Sequence, residues 1–384
     1  MEEKMRKIVM VLKTGGLEYD DRVRKEILTV KKLFPDYVFD VLVMLDDQNT
    51  QQEGITSYGV HYKTVYSPSR DKYPSAKMLL LKSYDFYRVV KDDLKQYDAI
   101  WCADIETVFI VLLCGMKNLI WDLHELPTAL LNSSLRRFVL RKAFKKCKVV
   151  LHANQYRIDY LDNIHALDRK DKHLVVRNFP DFNAIDSEYD ETYHRFAEWL
   201  GDRKCVYLQG INFDSRAPME SITAVLNKPG LCAVVLGSVN EDRRKMLEEK
   251  FGEDVLRERL YIVGLVNQLK TPQYMKKCFM SLIFYKNTRP NNWYCEANRL
   301  YQTISMGLLV VTGCNPPMKG LLDEYGFGVA VDTDGSDEKL IEQGIDDLMA
   351  NESVFISNIK KYRHLLTWDN QEPIIKEAIN RLFN

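Results

Sequence analysis

Residues 287–313 read NTRPNNWYCEANRLYQTISMGLLVVTG, and three kinds of sequence follow one another within them. A loop crowded with polar and aromatic side chains comes first. A helical pattern then opens near Asn298 and ends at Gly307. Last comes LLVVTG (308–313), a short apolar run of the kind that forms a strand buried on both faces. A loop so rich in donors, set between one strand end and the next helix start, is the usual place for a binding function. Arg299 and Gln302, at i and i+3, share one side of that helix near its positive end.

The same alternation extends outward in both directions. Upstream, CVYLQG (205–210), LCAVVLG (231–237), LYIVG (260–264) and MSLIFY (280–285) read as strands, and GVAVDT (328–333) follows downstream. Helical patterns fit between them at Met219–Leu226, Asp242–Phe251, Pro272–Cys278, Asn298–Met306 and Asp337–Met349. The first half repeats the pattern with KIVMVL (7–12), FDVLVML (39–45), AIWCA (99–103), NLIWDL (118–123) and KVVLHA (148–153). Its helices are read at Asp21–Leu33, within Ser75–Tyr97, and at Ile105–Cys114 and Leu131–Lys146. Such alternation predicts α/β domains, each a doubly wound parallel sheet. Residues 1–180 form one, 201–365 a second, and the acid-rich stretch 181–200 a linker. Segments 352–366 and 370–384 read as closing helices, and 366–384 is expected to cross back to the N-terminal domain. Two such domains facing each other would leave a central cleft at the C-terminal ends of their strands, where open α/β sheets bind ligands.

Composition narrows the function. The 384 residues carry 54 Lys plus Arg against 54 Asp plus Glu, so no basic excess marks a nucleic-acid binder. The longest apolar stretch, Val108–Met116, is too short for a bilayer, which needs about 20 residues. The opening MEEKMRKIVMVL lacks the long apolar core of a secretory signal. Eight scattered cysteines, with no C-x-x-C, fit free thiols in a reduced, cytoplasmic protein. No His/Cys constellation suggests a metal.

The loops at strand ends carry the candidate chemistry. KTGGLEYDDR (13–22) places Gly15 and Gly16 where backbone can approach a ligand, but it is not the dinucleotide fingerprint G-x-G-x-x-G. Asp46 ends the second strand without that glycine pattern, and an aspartate here also serves as a plain helix cap. NLIWDL empties into Asp122, His124 and Glu125, an imidazole between two acids. Either its proton-accepting nitrogen or its imidazolium form suits a substrate hydroxyl, while a capping role is the plainer reading. His152 reads as structural. Gly210 is followed by INFDSRAPME (211–220), where Arg216 precedes a helix starting near Pro218, an arrangement suited to phosphate.

Taken together, these places resemble the retaining glycosyltransferases of family 4. WDLHELP (121–127) is similar to the family's D-x-H-E-L segment, and LQGINFDSRAPMESITAV (208–225) to its phosphate loop, with one extra residue before the arginine. YCEANRLYQTISMGLLVV (294–311) resembles Y-C-A-P-N-K-L-Y-E-Y-x-A-x-G-x-P-V-V, and VVRNFPD (175–181) the junction motif V-x-N-x-x-D. The resemblance implies the GT-B fold, α/β with two Rossmann-like doubly wound parallel-sheet domains facing a central cleft. It implies transfer of a sugar from a nucleoside diphosphate sugar, with retained configuration, to a glycan or lipid-linked acceptor in cell-surface polysaccharide or glycoconjugate synthesis. Catalytic roles fall to His124, Asp122 and Glu125, and donor contacts to Gly15, Gly16, Arg216, Gly264, Glu296, Asn298, Arg299 and Gln302. No cofactor or metal is implied. Two family glutamates are replaced, by Gln302 and Tyr294, and Glu296 stands nearby at a different offset. An amide at Gln302 still accepts and donates, without the strength of a charged acceptor. These replacements leave a non-catalytic sugar-nucleotide-binding or scaffold protein as the rival reading.

RRFVLRKAFKKCK (136–148) carries seven basic residues and no acid. Phe138, Val139, Leu140, Ala143 and Phe144 are expected to pack inward, leaving the cations wet. Such a face is either simply solvated or rests on anionic lipid at the inner face of a membrane.

Overall fold

Lys7–Lys13 forms strand β1, with its five central residues buried. No alternation of apolar and polar residues is left in such a run, because both faces of a parallel strand are covered. The computed structural model describes residues 5–14, 16–45, 52–67, 78–181, 189–210, 214–267 and 270–384. The chain divides into two units, Met1–Arg177 with Gln371–Asn384, and Asn178–Asn370.

In the first unit β1 lies between β2 (Val38–Leu45) and β5 (Ala99–Ala103), both parallel, with Val9 opposite Asp40 and Ile100. The sheet also holds β3 (Glu53–Ile55), β4 (His61–Tyr66), β6 (Leu119–Leu123), β7 (Val149–His152) and β8 (His173–Val175). Its order is β3-β4-β2-β1-β5-β6-β7-β8, and β3 alone runs antiparallel, against β4. The order reverses between β1 and β5. The terminal helix Glu372–Phe383 belongs to this unit, burying Ile375, Ala378, Ile379 and Leu382. Lys32 pairs with Glu372 at 2.8 Å, and Lys148 Nζ donates to the Leu382 carbonyl at 2.7 Å.

The second unit is a parallel sheet of β9 (Lys204–Gln209), β10 (Leu231–Leu236), β11 (Leu260–Gly264), β12 (Met280–Ile283), β13 (Leu309–Thr312) and β14 (Gly328–Ala330). Its order, β11-β10-β9-β12-β13-β14, reverses between β9 and β12. Helix Asn298–Ser305 packs Leu300, Tyr301 and Ile304 into the core.

Differences from the sequence reading have local causes. β3, β4 and β8 lie toward the sheet edges and are short or half-exposed, so they lack the continuous apolar run that marks a central strand. Residues 191–200, read as linker, form an amphipathic helix capped by Asp190, which buries Tyr193, Phe196 and Leu200. Helices Gln155–Asn163 and Pro316–Tyr325 were not read either. Within Ser75–Tyr97 the regular helix is Leu79–Val90.

Phe138 does not pack inward; it is 48% exposed. Helix Ser134–Lys146 buries Leu140, Ala143 and Phe144, and a residue two positions from Leu140 lies about 200° around the axis. All eight cysteines are free. Among the described residues no helix is long and apolar enough to cross a membrane.

Ile379→Ala should test the terminal helix as part of the first unit's core. A loss of about 2–5 kcal/mol in denaturant unfolding is expected for a fully buried isoleucine.

Candidate functional site

In the first unit the candidate residues gather at the C-terminal ends of β5 and β6. Asp122, on β6, is fully buried, and a buried carboxylate needs a partner. Arg22, near the start of helix Asp21–Leu33, supplies it with NH2 2.8 Å from Oδ1 and Nε 3.4 Å from Oδ2. The same guanidinium donates to the Val176 carbonyl at 2.8 Å and lies 2.9 Å from Glu26. His124 sits just past β6 with Nε2 3.1 Å from Asp122 and Nδ1 3.2 Å from Asp104. Its amide donates to Asp104 at 2.9 Å, and Arg157 donates to its carbonyl.

Opposed charges shift the acidities of these groups. Burial alone would depress His124, but the carboxylates of Asp104 and Asp122 outweigh it and raise the ring well above its ordinary value. Burial would raise Asp122, yet the charges of Arg22 and His124 hold it well below the usual carboxylate range. Glu26 is pushed well up by burial and by the neighbouring Asp122 charge. Donor atoms of Glu26, Asp122 and His124 lie within 4.8 Å of one another, a spacing that metal ions also use. Here the guanidinium of Arg22 already stands against both carboxylates, so the cluster is organised around an internal cation.

Both ring nitrogens of His124 face carboxylates, Nε2 that of Asp122 and Nδ1 that of Asp104. Asp122 supports the ring and is too buried to meet a ligand, whereas Glu125 is exposed. Gly16 adopts φ −171°, extended backbone open to any residue; Gly15 and Asp46 lie outside the described residues. Asp20 caps helix Asp21–Leu33 through the Val23 amide. His152 is buried, with Nε2 2.8 Å from His173 Nδ1.

The second unit builds a cationic site where its strand order reverses, the position at which open α/β sheets take ligands. Gly210, directly after β9, has φ +73°, and Arg216 folds over it so closely that an added Cβ would stand 2.0 Å from the guanidinium. Arg216 and Arg299 both lie against the Tyr285 ring just past β12, with their Cζ atoms 5.4 and 5.2 Å from its centroid. Helix Pro218–Leu226 starts just beyond Arg216, behind Ala217 at φ +49°, with no side-chain cap on its first amides.

Arg299 differs from its expected role. It is buried, and its guanidinium donates to the Gln209 carbonyl and, at 3.2 Å, to that of Phe284, tying the ends of β9 and β12 together. Burial lowers the Arg299 pKa, and the charge of Arg216 pushes the same way. Glu296 is buried just before helix Asn298–Ser305, Asn298 is exposed at its first turn, and Gln302 is half-buried one turn on. Gly264 ends β11 at φ +89°, and its carbonyl accepts from Gly237 N at 2.7 Å.

Sequence reasoning missed Arg22, Asp104 and Tyr285. Asp104 stands immediately past one apolar strand run and Tyr285 ends another, so position alone was a signal. Arg22 looked like an ordinary helix cation, and nothing local betrays its reach to Asp122, 100 residues away.

No protein-family model matches the chain, and no curated protein matches it. Solved structures do resemble it. Sucrose-phosphate synthase from Thermosynechococcus elongatus superposes with a TM-score of 0.76 at 12% identity, covering 98% of this chain and 99% of that one. HepE from Anabaena, in complex with UDP and glucose, gives 0.69 at 14% identity over 98% and 99%. An alpha,alpha-trehalose-phosphate synthase (UDP-forming) from Burkholderia vietnamiensis gives 0.68 at 12% identity over 97% and 100%. The chain shares their fold, GT-B, with two Rossmann-like parallel-sheet units.

Gly210→Ala should strain the backbone and drive Arg216 off the strand end. Gly252→Ala, also at positive φ but with nothing within 4 Å of its Cβ, is the control. Denaturant unfolding is expected to show about 1 kcal/mol lost in the control and more, up to ~3 kcal/mol, at Gly210.

Proposed function

We propose that the protein is a retaining glycosyltransferase, similar to family 4, that moves a sugar from a nucleoside diphosphate sugar to a glycan or lipid-linked acceptor. The observation that carries this reading is the second unit's anion site. Arg216 stands beside an uncapped helix start, at the point where the strand order reverses. HepE, which shares the fold, was solved with UDP and glucose.

In this reading Arg216 and the first amides of helix Pro218–Leu226 hold the donor diphosphate. They oppose the negative charge that grows on it as the glycosidic bond breaks. Arg299 acts one step back, fixing the strand ends and the Tyr285 ring against which Arg216 lies. Gly264 offers backbone to the base, and Gln302, with Asn298 and Glu296 beside it, addresses the ribose hydroxyls. In the first unit His124, with Asp122 behind it and Glu125 exposed beside it, serves the acceptor side. The reaction needs no resident metal or cofactor in this scheme.

Gln302 and Tyr294 favour one rival, a protein that binds a sugar nucleotide without transferring it. A thermal-shift screen of nucleoside diphosphate sugars, followed by nucleotide-release assays with acceptors, separates the two. Transfer requires a donor that raises the melting temperature and is turned over; binding without release supports the rival. Arg216→Ala should weaken donor binding and cut kcat by about 100-fold or more. Unchanged donor affinity would move the diphosphate elsewhere.

The acceptor class draws support from helix Ser134–Lys146. Leu135 is 74% and Phe138 48% exposed, amid Arg136, Lys142, Lys145 and Lys146. Apolar side chains ringed by cations suit an anionic lipid surface, at roughly 1 kcal/mol per cation. Flotation with phosphatidylserine vesicles should recover the wild type at low salt. Phe138→Asp should lose it, and equal recovery of both would remove the membrane contact.

A further inference from the structure

Asp104 follows β5 with φ 57° and ψ −179°, a conformation that residues bearing a side chain rarely take. A set of hydrogen bonds holds it. The Asp104 amide donates to the Asp122 carbonyl at 2.8 Å. Its own carbonyl accepts from the Trp121 indole at 2.9 Å and the Thr107 hydroxyl at 2.7 Å. Its carboxylate accepts from the His124 amide at 2.9 Å. A conformation this constrained aims the second carboxylate oxygen at a set point, 3.2 Å from His124 Nδ1.

We propose that Asp104 is a positioning residue for His124: with Asp122 at Nε2 and Asp104 at Nδ1, the ring is clamped as an imidazolium, a standing positive charge rather than a proton acceptor. A neutral imidazole has one donor and one acceptor nitrogen, and it cannot donate to carboxylates on both sides. Only the protonated ring satisfies both contacts. The surrounding groups agree with this assignment. Arg22 and Glu26, from helix Asp21–Leu33, stand behind Asp122, and Arg157 engages the His124 carbonyl rather than the ring. Glu125 is exposed beside it. Glu106, next to Asp104, is pushed up by its own burial and by the Asp104 charge. The chemical consequence rests on the glycosyl-transfer reading: His124 acts there through its charge and takes no proton from the acceptor.

The test needs no turnover. Full-length protein labelled with 15N-histidine, its His124 signals assigned by His124→Gln, is titrated between about pH 5 and 9. Imidazolium shifts at both ring nitrogens through neutral pH are expected in the wild type. Asp104→Asn should lower the ring's proton affinity at least tenfold. Asp104→Gly, which suits the positive φ while removing the carboxylate, should do the same and guards against misfolding of the first variant. A neutral His124 ring at pH 7 in the wild type, or an unmoved titration in a folded variant, would overturn the proposal. A wild type that binds no sugar nucleotide would instead sink the transferase reading and leave the clamp standing.

Discussion

The buried ion pair between Arg22 and Asp122 is the interaction on which the cluster at the end of β6 depends. Asp122 is sealed in the middle strands of the sheet, where a lone carboxylate is costly enough to neutralise itself. Arg22 keeps it charged, and only a charged Asp122 can hold His124 from below. The same guanidinium reaches Val176, fastening the chain where it leaves this unit. Removing one partner of such a pair costs about 3–5 kcal/mol, because the other charge is left buried and unpaired.

The second unit solves a parallel problem with a different cation. The strand order reverses between β9 and β12, whose ends carry the carbonyls of Gln209 and Phe284. Arg299 bonds both, and so ties the two strand ends together. Arg299 and Arg216 both lie against the Tyr285 ring, and the charge of Arg216 still bears on Arg299. Gly210 is needed for a related reason: the guanidinium occupies the volume that any side chain would fill.

Secondary structure was legible wherever burial wrote an unbroken apolar run, as in β1, β5, β6, β10 and β13. It was illegible where exposure broke the run, as in β3 and β4, or where a short edge strand such as β8 carried too little sequence to stand out. The polar segment 181–200 hid a helix because three buried residues spread over two turns look sparse in a linear reading. Phe138 points outward because it stands about 200° around the helix from the buried Leu140, a phase that apolar character alone does not reveal.

By itself the sequence determined the α/β class, the strand-end positions of His124 and Arg216, and the resemblance that named GT-B. Strand ends are fixed by local pattern, since apolar runs stop where burial stops. Tertiary structure alone decided which charges meet. Arg22 and Asp122 lie 100 residues apart, and Arg299 and Gln209 are 90 apart. No local rule pairs them, because desolvation and hydrogen-bond geometry act between elements that only folding brings together. That is why two arginines equally plausible as ligands on paper divide into one buried between strand ends and one half-buried over Gly210.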